Sequence, residues 1–390
     1  MKKTHYLLRD GFLCLLLALG FLWSVSFILL NLSIFNPFTG AFKDFSFLDL
    51  YYAEKMQENA PAQDIILINV EQRDRFEIHQ LMEHVQAQDP KVLGLDIVFK
   101  DTRDPFVDSL LQQSFSKENV VLSKAFITDH WQRNASVFKT NHSRIGYSNL
   151  NFDRQNNVIR TFEGKKLLLD SIHYSFSSLM AQHFLEDDWV GENLETKVNK
   201  SIPINYRGDF DSFLTLSYDD CMSQETLPFL KDKIVLLGYM GTPHGSRNDI
   251  EDKFFTPLNE NTAGKSAPDM FGVLIHANII QMLITQDFIS KTPKWLMYGI
   301  AIILTYLAIV AFMFFSTRSP ASYMLSKKIT QLILTVLLLW FSLWLYKKKV
   351  LFQPELIIGM MVISVELIGL YKIIAKKLNT RYKWKSYFFQ

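Results

Sequence analysis

The residues of this chain that could do chemistry are few and widely spaced. Asp96 stands near the end of the apolar run Lys91–Phe99 (KVLGLDIVF). That run has strand composition, and the carboxyl ends of parallel strands are where open α/β sheets bind ligands. Asp96 therefore has two readings, ligand contact or a local bond to the next turn. His276 lies in the otherwise apolar stretch FGVLIHANIIQMLI, as a hydrogen-bonded core histidine or as a base or ligand contact. His244, Asp249, Glu251 and Asp252 share one polar stretch whose carboxylates suit a cation, yet their spacing matches no standard calcium loop. A solvated acidic surface is the simpler reading there, with Asp249 kept as a ligand-binding candidate. Gly238 and Gly241 in GYMGTPHG follow a strong strand pattern but lack both the Walker lysine-hydroxyl ending and the GxGxxG spacing, so they are read as turn glycines. Ser223, Ser246 and Ser266 stand in no nucleophile-elbow string. No metal, cofactor or enzymatic activity is expected.

Two further acidic residues lie in apolar surroundings. Glu355 follows Pro354, and Glu366 stands well inside the run Leu351–Ile374. An ionisable group among lipid tails faces other helices or a water-filled path, so Glu366 is expected to make an intramembrane polar contact, with Gln331 or with a base on a partner protein. Proton conduction through Glu366 is the sharper alternative.

The elements that must position these groups fall into two solvents. The chain has 390 residues, 48% of them hydrophobic, with 41 basic and 39 acidic side chains. Its mean hydropathy is +0.06. A net charge of +2 excludes a bulk polycationic field for nucleic acid, and the aromatic content excludes a mostly disordered chain. Gly11–Leu30 is uncharged throughout and about 20 residues suffice to cross a bilayer. No small-x-small cleavage pattern follows it, so it is read as a retained signal anchor. Trp295–Phe315, Ile329–Tyr346 and Leu351–Ile374 make three more spans. Lys2, Lys3, Arg9, Arg318, Lys327, Lys328 and the bases of the tail KIIAKKLNTRYKWKSYFFQ then share one side, the expected cytoplasm. Lys347, Lys348 and Lys349 dissent, as interfacial lysines can. Both termini are thus expected inside an inner (cytoplasmic) membrane with the large middle region periplasmic. Cys14 and Cys221 cannot form a disulfide within one compartment. The basic tail suits an anionic leaflet or ordinary positive-inside anchoring.

Within the middle region, Ile65–Val70 (IILINV) has strand length, Ile78, Leu81, Met82 and Val85 mark one helix face, and Lys91–Phe99 returns to strand. The alternation predicts an α/β domain with a mainly parallel sheet and flanking helices, beside the four α-helical spans. It continues through a helix over Val107–Phe115, a strand over Asn119–Lys124, irregular short strands over Val137–Phe162 and a helix face from Ile172 to His183. Ile202–Tyr206 and Lys233–Tyr239 are further strands, Met240–Asp269 a long loop, and Met270–Ile284 a buried helix. Phe35–Pro61 reads as a linker and a short amphipathic helix. The expected division is 1–10 inside, 11–34 first span, 35–294 domain, 295–315, 329–346 and 351–374 spans, and 375–390 a basic tail.

IILINV, VLGLDIVF, IPINYRGDF, LKDKIVLLGYMG, FFTPL and FGVLIHANIIQMLI follow one another in an order that resembles the second type of the CHASE family over roughly residues 40 to 290. That resemblance implies an extracytoplasmic bacterial sensory domain followed by three membrane helices. It also implies an acidic ligand position right after the first strand, where this chain carries Glu71-Gln72-Arg73-Asp74 in place of the family's aspartates. The family's receptors continue into a cytoplasmic output enzyme, whereas the sequence in hand stops at Gln390. The expectation is a non-enzymatic sensor or scaffold acting through a separate protein partner. Membrane lipids are its other partner, a homo-oligomer is allowed, and nucleic acid is not expected. A structural subunit of an envelope complex is the alternative, and transport through Glu366 is a third.

Overall fold

The computed structural model describes residues 2–31, 61–127, 130–138, 144–151, 158–168, 170–191, 193–246, 248–259, 267–318, 320–352 and 354–389. The linker and amphipathic helix expected over Phe35–Pro61 fall almost wholly outside them, as does Ser266. The chain divides into two compact units, Lys43–Ile289 and the pair Met1–Phe42 with Ser290–Gln390.

Helix α1 (Lys2–Asn31) belongs to the second of these. The first unit opens with β1 (Ile65–Asn69), α2 (Arg75–Gln86) and β2 (Val92–Leu95). Asp74 caps α2 reciprocally: its carboxylate accepts the Glu77 N–H while the Glu77 side chain accepts the Asp74 N–H. Next come α3 (Pro105–Phe115), capped by Asp104 with proline at its first turn, then β3 (Val120–Ile127), β4 (His130–Gln132) and β5 (Ile145–Tyr147). Short ribbons follow: β6 (Thr161–Phe162), β7 (Lys165–Leu168) and β8 (Ser171–Tyr174). Then come α4 (Phe176–Leu185), β9 (Ile202–Pro203), β10 (Leu214–Leu216), α5 (Tyr218–Met222) and β11 (Ile234–Gly238). Finally β12 (Lys253–Phe254) pairs with β13 (Met270–Phe271), and α6 (Gly272–Ile284) closes the unit.

The main sheet runs β10-β1-β11-β2-β3-β4, with β5 also on β3. Every pairing is parallel except β3 with β4. Its central strands are buried on both faces, which is why they read as continuous apolar runs rather than alternating ones. One face packs Ile66, Ile68, Leu93, Leu95 and Val235 against Ile78, Leu81 and Val85 of α2 and Leu111 of α3. Each such fully buried side chain contributes about 1.5–3 kcal/mol. Across that layer Arg75 and Asp108, both buried, bond at 2.7 Å and tie α2 to α3. The other face is covered by α4 and α6. Cys221 sits fully buried in the core, where burial pushes its thiol up to about 11.

Three expectations change. The helix face expected from Ile172 starts later: Ser171–Tyr174 is the second strand of a hairpin, Ile172 is exposed, and Ser175 caps the helix at Phe176. Ile202–Tyr206 contributes only β9, paired with β6 outside the main sheet. The strand expected over Lys91–Phe99 ends at Leu95, so Asp96 is the first residue beyond it.

In the other unit, Ser290–Lys291 (β14) precedes α7 (Lys294–Arg318) and α8 (Pro320–Lys347). Val350–Leu351 (β15), paired with β14, leads into α9 (Glu355–Glu366) and α10 (Ile368–Tyr382). Four helical stretches are long and apolar enough to cross a membrane, α9 and α10 forming one of them. The helix continues past Ile374 to Tyr382, so the first part of the expected basic tail is helical. The α7 helix packs on α1 and α9. The bond expected between Glu366 and Gln331 does not form. Glu366 takes Lys327 at 2.8 Å and Lys328 at 2.6 Å from α8, while Gln331 reaches the Val362 carbonyl at 3.4 Å. Two lysines neutralise this carboxylate within the chain, which removes the need for a base from a partner.

Candidate functional site at the carboxyl edge of the sheet

The groups that could bind a ligand gather where the parallel strands end. Asp96 leaves β2 with its N–H still bonded to the Leu237 carbonyl of β11, so its backbone is fixed by the sheet. Its carboxylate is 12% exposed and stands 3.8 Å from Nε2 of His276 on α6. The other ring nitrogen of His276 meets the Ser177 hydroxyl of α4 at 2.8 Å, and its ring lies edge-on to Phe176 with centroids 5.4 Å apart. Ser123, fully buried on β3, lies beside Asp96. Asp252 is a further carboxylate of this edge. It precedes β12, its carbonyl accepts the Gly272 N–H that starts α6, and burial, with the Asp96 charge beside it, pushes its carboxyl up to about 8.

Burial decides the electrostatics. It raises the Asp96 carboxyl above the usual range, with the imidazole and the Ser123 hydroxyl pulling the other way. It lowers the His276 imidazole below the usual range, the Asp96 charge pulling the other way. An imidazole held towards its neutral form therefore faces a carboxyl group whose charge burial disfavours. Such a group favours a cation or a strong hydrogen-bond donor.

The sequence of Ser177, His276 and Asp96 has the order of a nucleophile, base and orienting acid. Its geometry differs: the 3.8 Å separation is beyond hydrogen-bond range, and Ser177 is fully buried. The cavity that touches Ser177 and His276, lined also by Tyr147, Thr161 and Glu163, has about 10 Å³, room for one water.

Of the expected ligand residues, the structure brings Asp96 and His276 together and puts Glu71 and Asp249 to other uses. Glu71 follows β1 at φ +48, its N–H bonded to Asn69 and its carboxylate to Arg73 at 3.1 Å. Asp249 organises its own loop, accepting the Tyr239 hydroxyl, the Thr242 N–H and the Glu251 N–H. These bonds, the Tyr239 hydroxyl first, hold its carboxyl below the usual range. His244 contacts Thr215 at 3.3 Å and the Phe210 ring. Among the described residues no three such side chains converge as metal ligands.

Sequence reasoning missed three buried positions. Asn69 accepts the Met240 N–H and donates to the Gly241 carbonyl, pinning the turn after β11 to the end of β1. Gly241 takes φ +88 there. Asn278 of α6 bonds the Arg207 and Gly208 amides and the Gly208 carbonyl, fixing the RGDF segment. Ser177 is the third. Asn278 follows His276 by two residues in an apolar helix, and that pairing of polar residues was the available signal.

A parallel α/β domain with a desolvated acid and histidine at its strand ends, preceded by one helix long and apolar enough to cross a membrane and followed by three, defines a multi-pass membrane protein. The CHASE2 domain family model matches residues 26–317, well over half of the chain, and the chain belongs to that family. CHASE2 is a sensory domain, which gives the protein a sensor role. A comparison with curated proteins and one with solved structures each find no match.

Proposed function

We propose that this is a non-enzymatic inner-membrane sensor. Its periplasmic domain takes a small cationic or hydrogen-bond-donating ligand beside Asp96 and His276, and its spans pass the event to a separate protein. The observation that carries this reading is the Asp96 carboxylate, 12% open at the end of a central strand with a histidine 3.8 Å away. The full burial of Ser177 and the one-water cavity beside it speak against acyl transfer at the Ser177, His276 and Asp96 group.

The test uses the full chain in lipid nanodiscs, with thermal shifts measured against inorganic cations, amines and amino acids. A shift in the parent that is lost in Asp96→Asn supports the sensor. No shift with any of them, together with stoichiometric copurification of envelope proteins from gently solubilised membranes, sinks it in favour of a structural subunit.

A further inference from the structure

Within the membrane unit, the segment after α10 turns back instead of running on. Lys383 takes the left-handed conformation at φ +55, its N–H bonds the Asn379 carbonyl, and the Asn379 side chain holds the Trp384 carbonyl at 2.8 Å. The next residues form a tight turn in which the Ser386 hydroxyl accepts the N–H groups of Phe388 and Phe389. Ser386 is fully buried and Tyr387 is 6% exposed, although both lie in a stretch otherwise written in lysines and aromatics.

What receives this turn is an ion pair whose acid is buried and whose base is partly exposed. Asp10 of α1 is 0% exposed, and a carboxylate so placed in an apolar helix requires partners. One oxygen accepts the Arg9 guanidinium at 2.8 Å and the other accepts the Tyr387 N–H at 2.7 Å. Arg9 also donates to the Lys385 carbonyl and stacks over Trp384 at 4.5 Å. The Tyr387 hydroxyl meets Thr317 of α7 at 3.0 Å. The turn thus grips α1 and α7 at once. One helical step from Asp10, the two helices are in their own close contact: a Cβ on Gly11 would lie 2.7 Å from Val310 Cγ2 and 3.9 Å from its Cα.

We propose that Lys383–Phe389 is a detachable strap that holds α1 against α7, with Asp10 as its catch. The chain enters the sensory domain from α1 and leaves it into α7, so this contact is where displacement of one helix against the other is registered. A grip of one paired carboxylate and a few hydrogen bonds is within what ligand binding elsewhere in a protein can shift. Release frees the Arg9–Asp10 pair and the Tyr387, Phe388 and Phe389 rings for a protein partner.

The experiment is a disulfide between Gly11→Cys and Val310→Cys in the full chain, with Cys14→Ala and Cys221→Ala as background, in nanodiscs. The rate of closure under mild oxidant is expected to fall roughly tenfold in Asp10→Asn and in Tyr387→Ala. It should stay at the parent value in Lys348→Ala. Tyr387→Ala lies outside every helix, so it decides the matter even where Asp10→Asn fails to fold. Equal rates in the parent and in Tyr387→Ala overturn the proposal. Maleimide labelling of Phe388→Cys gives the second arm. Slow labelling of the folded protein, accelerated by Asp10→Asn, supports a detachable strap. Labelling only once the membrane unit melts marks a permanent brace and also overturns it. These readouts do not involve Asp96, so they stand or fall separately from the ligand site.

Discussion

At the scale of single residues, the protein keeps an acid and a histidine where burial works against the charge of each. The folded value of Asp96 lies above its ordinary 3.8, so the folded state binds the proton more tightly than the unfolded chain. Its favourable contribution is therefore complete below about pH 4 and is lost as pH rises through the folded value. At pH 7.5, above the unfolded value, this tighter hold on the proton counts against the folded state. Asp96→Asn should accordingly raise the unfolding midpoint of the full chain at pH 7.5, a gain of about 0.5–2 kcal/mol, while abolishing ligand response. The gain should shrink towards zero near pH 4. A variant less stable than the parent at pH 7.5 contradicts this, and thermal scans at several pH values decide it. Asp96 and His276 were legible because an acid at a strand end and a histidine in an apolar helix stand out against their neighbours. Ser177 was not, because its partner lies 99 residues away and nothing local marks the pair. Glu71 and Asp249 misled for the opposite reason. Acids beside turns bond nearby backbone or side chains, and only coordinates show that Arg73 and Tyr239 already occupy them.

At the scale of elements, the strands buried on both faces and the capped helices were readable, since each carries its own periodicity and cap. The edge of the sheet was not. Leu214–Leu216 adds β10 beside β1 with only three residues, and Leu214 is exposed, too short and too open a stretch to announce itself. The order β1-β11-β2 was equally hidden, because pairing between distant segments leaves no local trace. Two glycines show how closely the α4 and α6 layer is laid on this sheet. A Cβ at Gly94 would meet Met180 Cε at 2.7 Å, the flexible end of a side chain on α4. A Cβ at Gly146 would meet the Phe176 backbone at 2.5 Å, the first turn of the same helix, which cannot step aside. Gly146→Ala should therefore lower the unfolding midpoint more than Gly94→Ala does. Overpacking of about 1–3 kcal/mol is expected for Gly94→Ala and a larger loss for Gly146→Ala. Because Ser177 follows Phe176, Gly146→Ala should also weaken ligand response, whereas Gly94→Ala should leave it. Reversal of that order in melting curves counts against rigid seating of α4.

At the scale of the whole molecule, orientation rests on lysine and arginine near the spans, and the membrane unit shows what those bases are doing. Arg9 is held by Asp10 and Trp384, and Lys327 and Lys328 share Glu366. Pairing lowers their net charge, yet acidic residues weigh little in setting orientation, so these bases still count towards the inner side. Lys347, Lys348 and Lys349 oppose them from the far end of α8, and Lys348 lies 4.1 Å over the Trp344 ring, the placement of an interfacial anchor. The larger set is expected to win. A reporter active only outside the cytoplasm should therefore give strong activity when fused after Asp187, an exposed residue of the sensory domain, and near-background activity after Lys328. Substituting Lys347, Lys348 and Lys349 by asparagine should leave both results unchanged. The opposite pattern, silence after Asp187 and activity after Lys328, would put the Asp96 site in the cytoplasm and the Arg9–Asp10 catch outside. Ligand and partner would then exchange compartments, so this fusion pair decides where each must be sought.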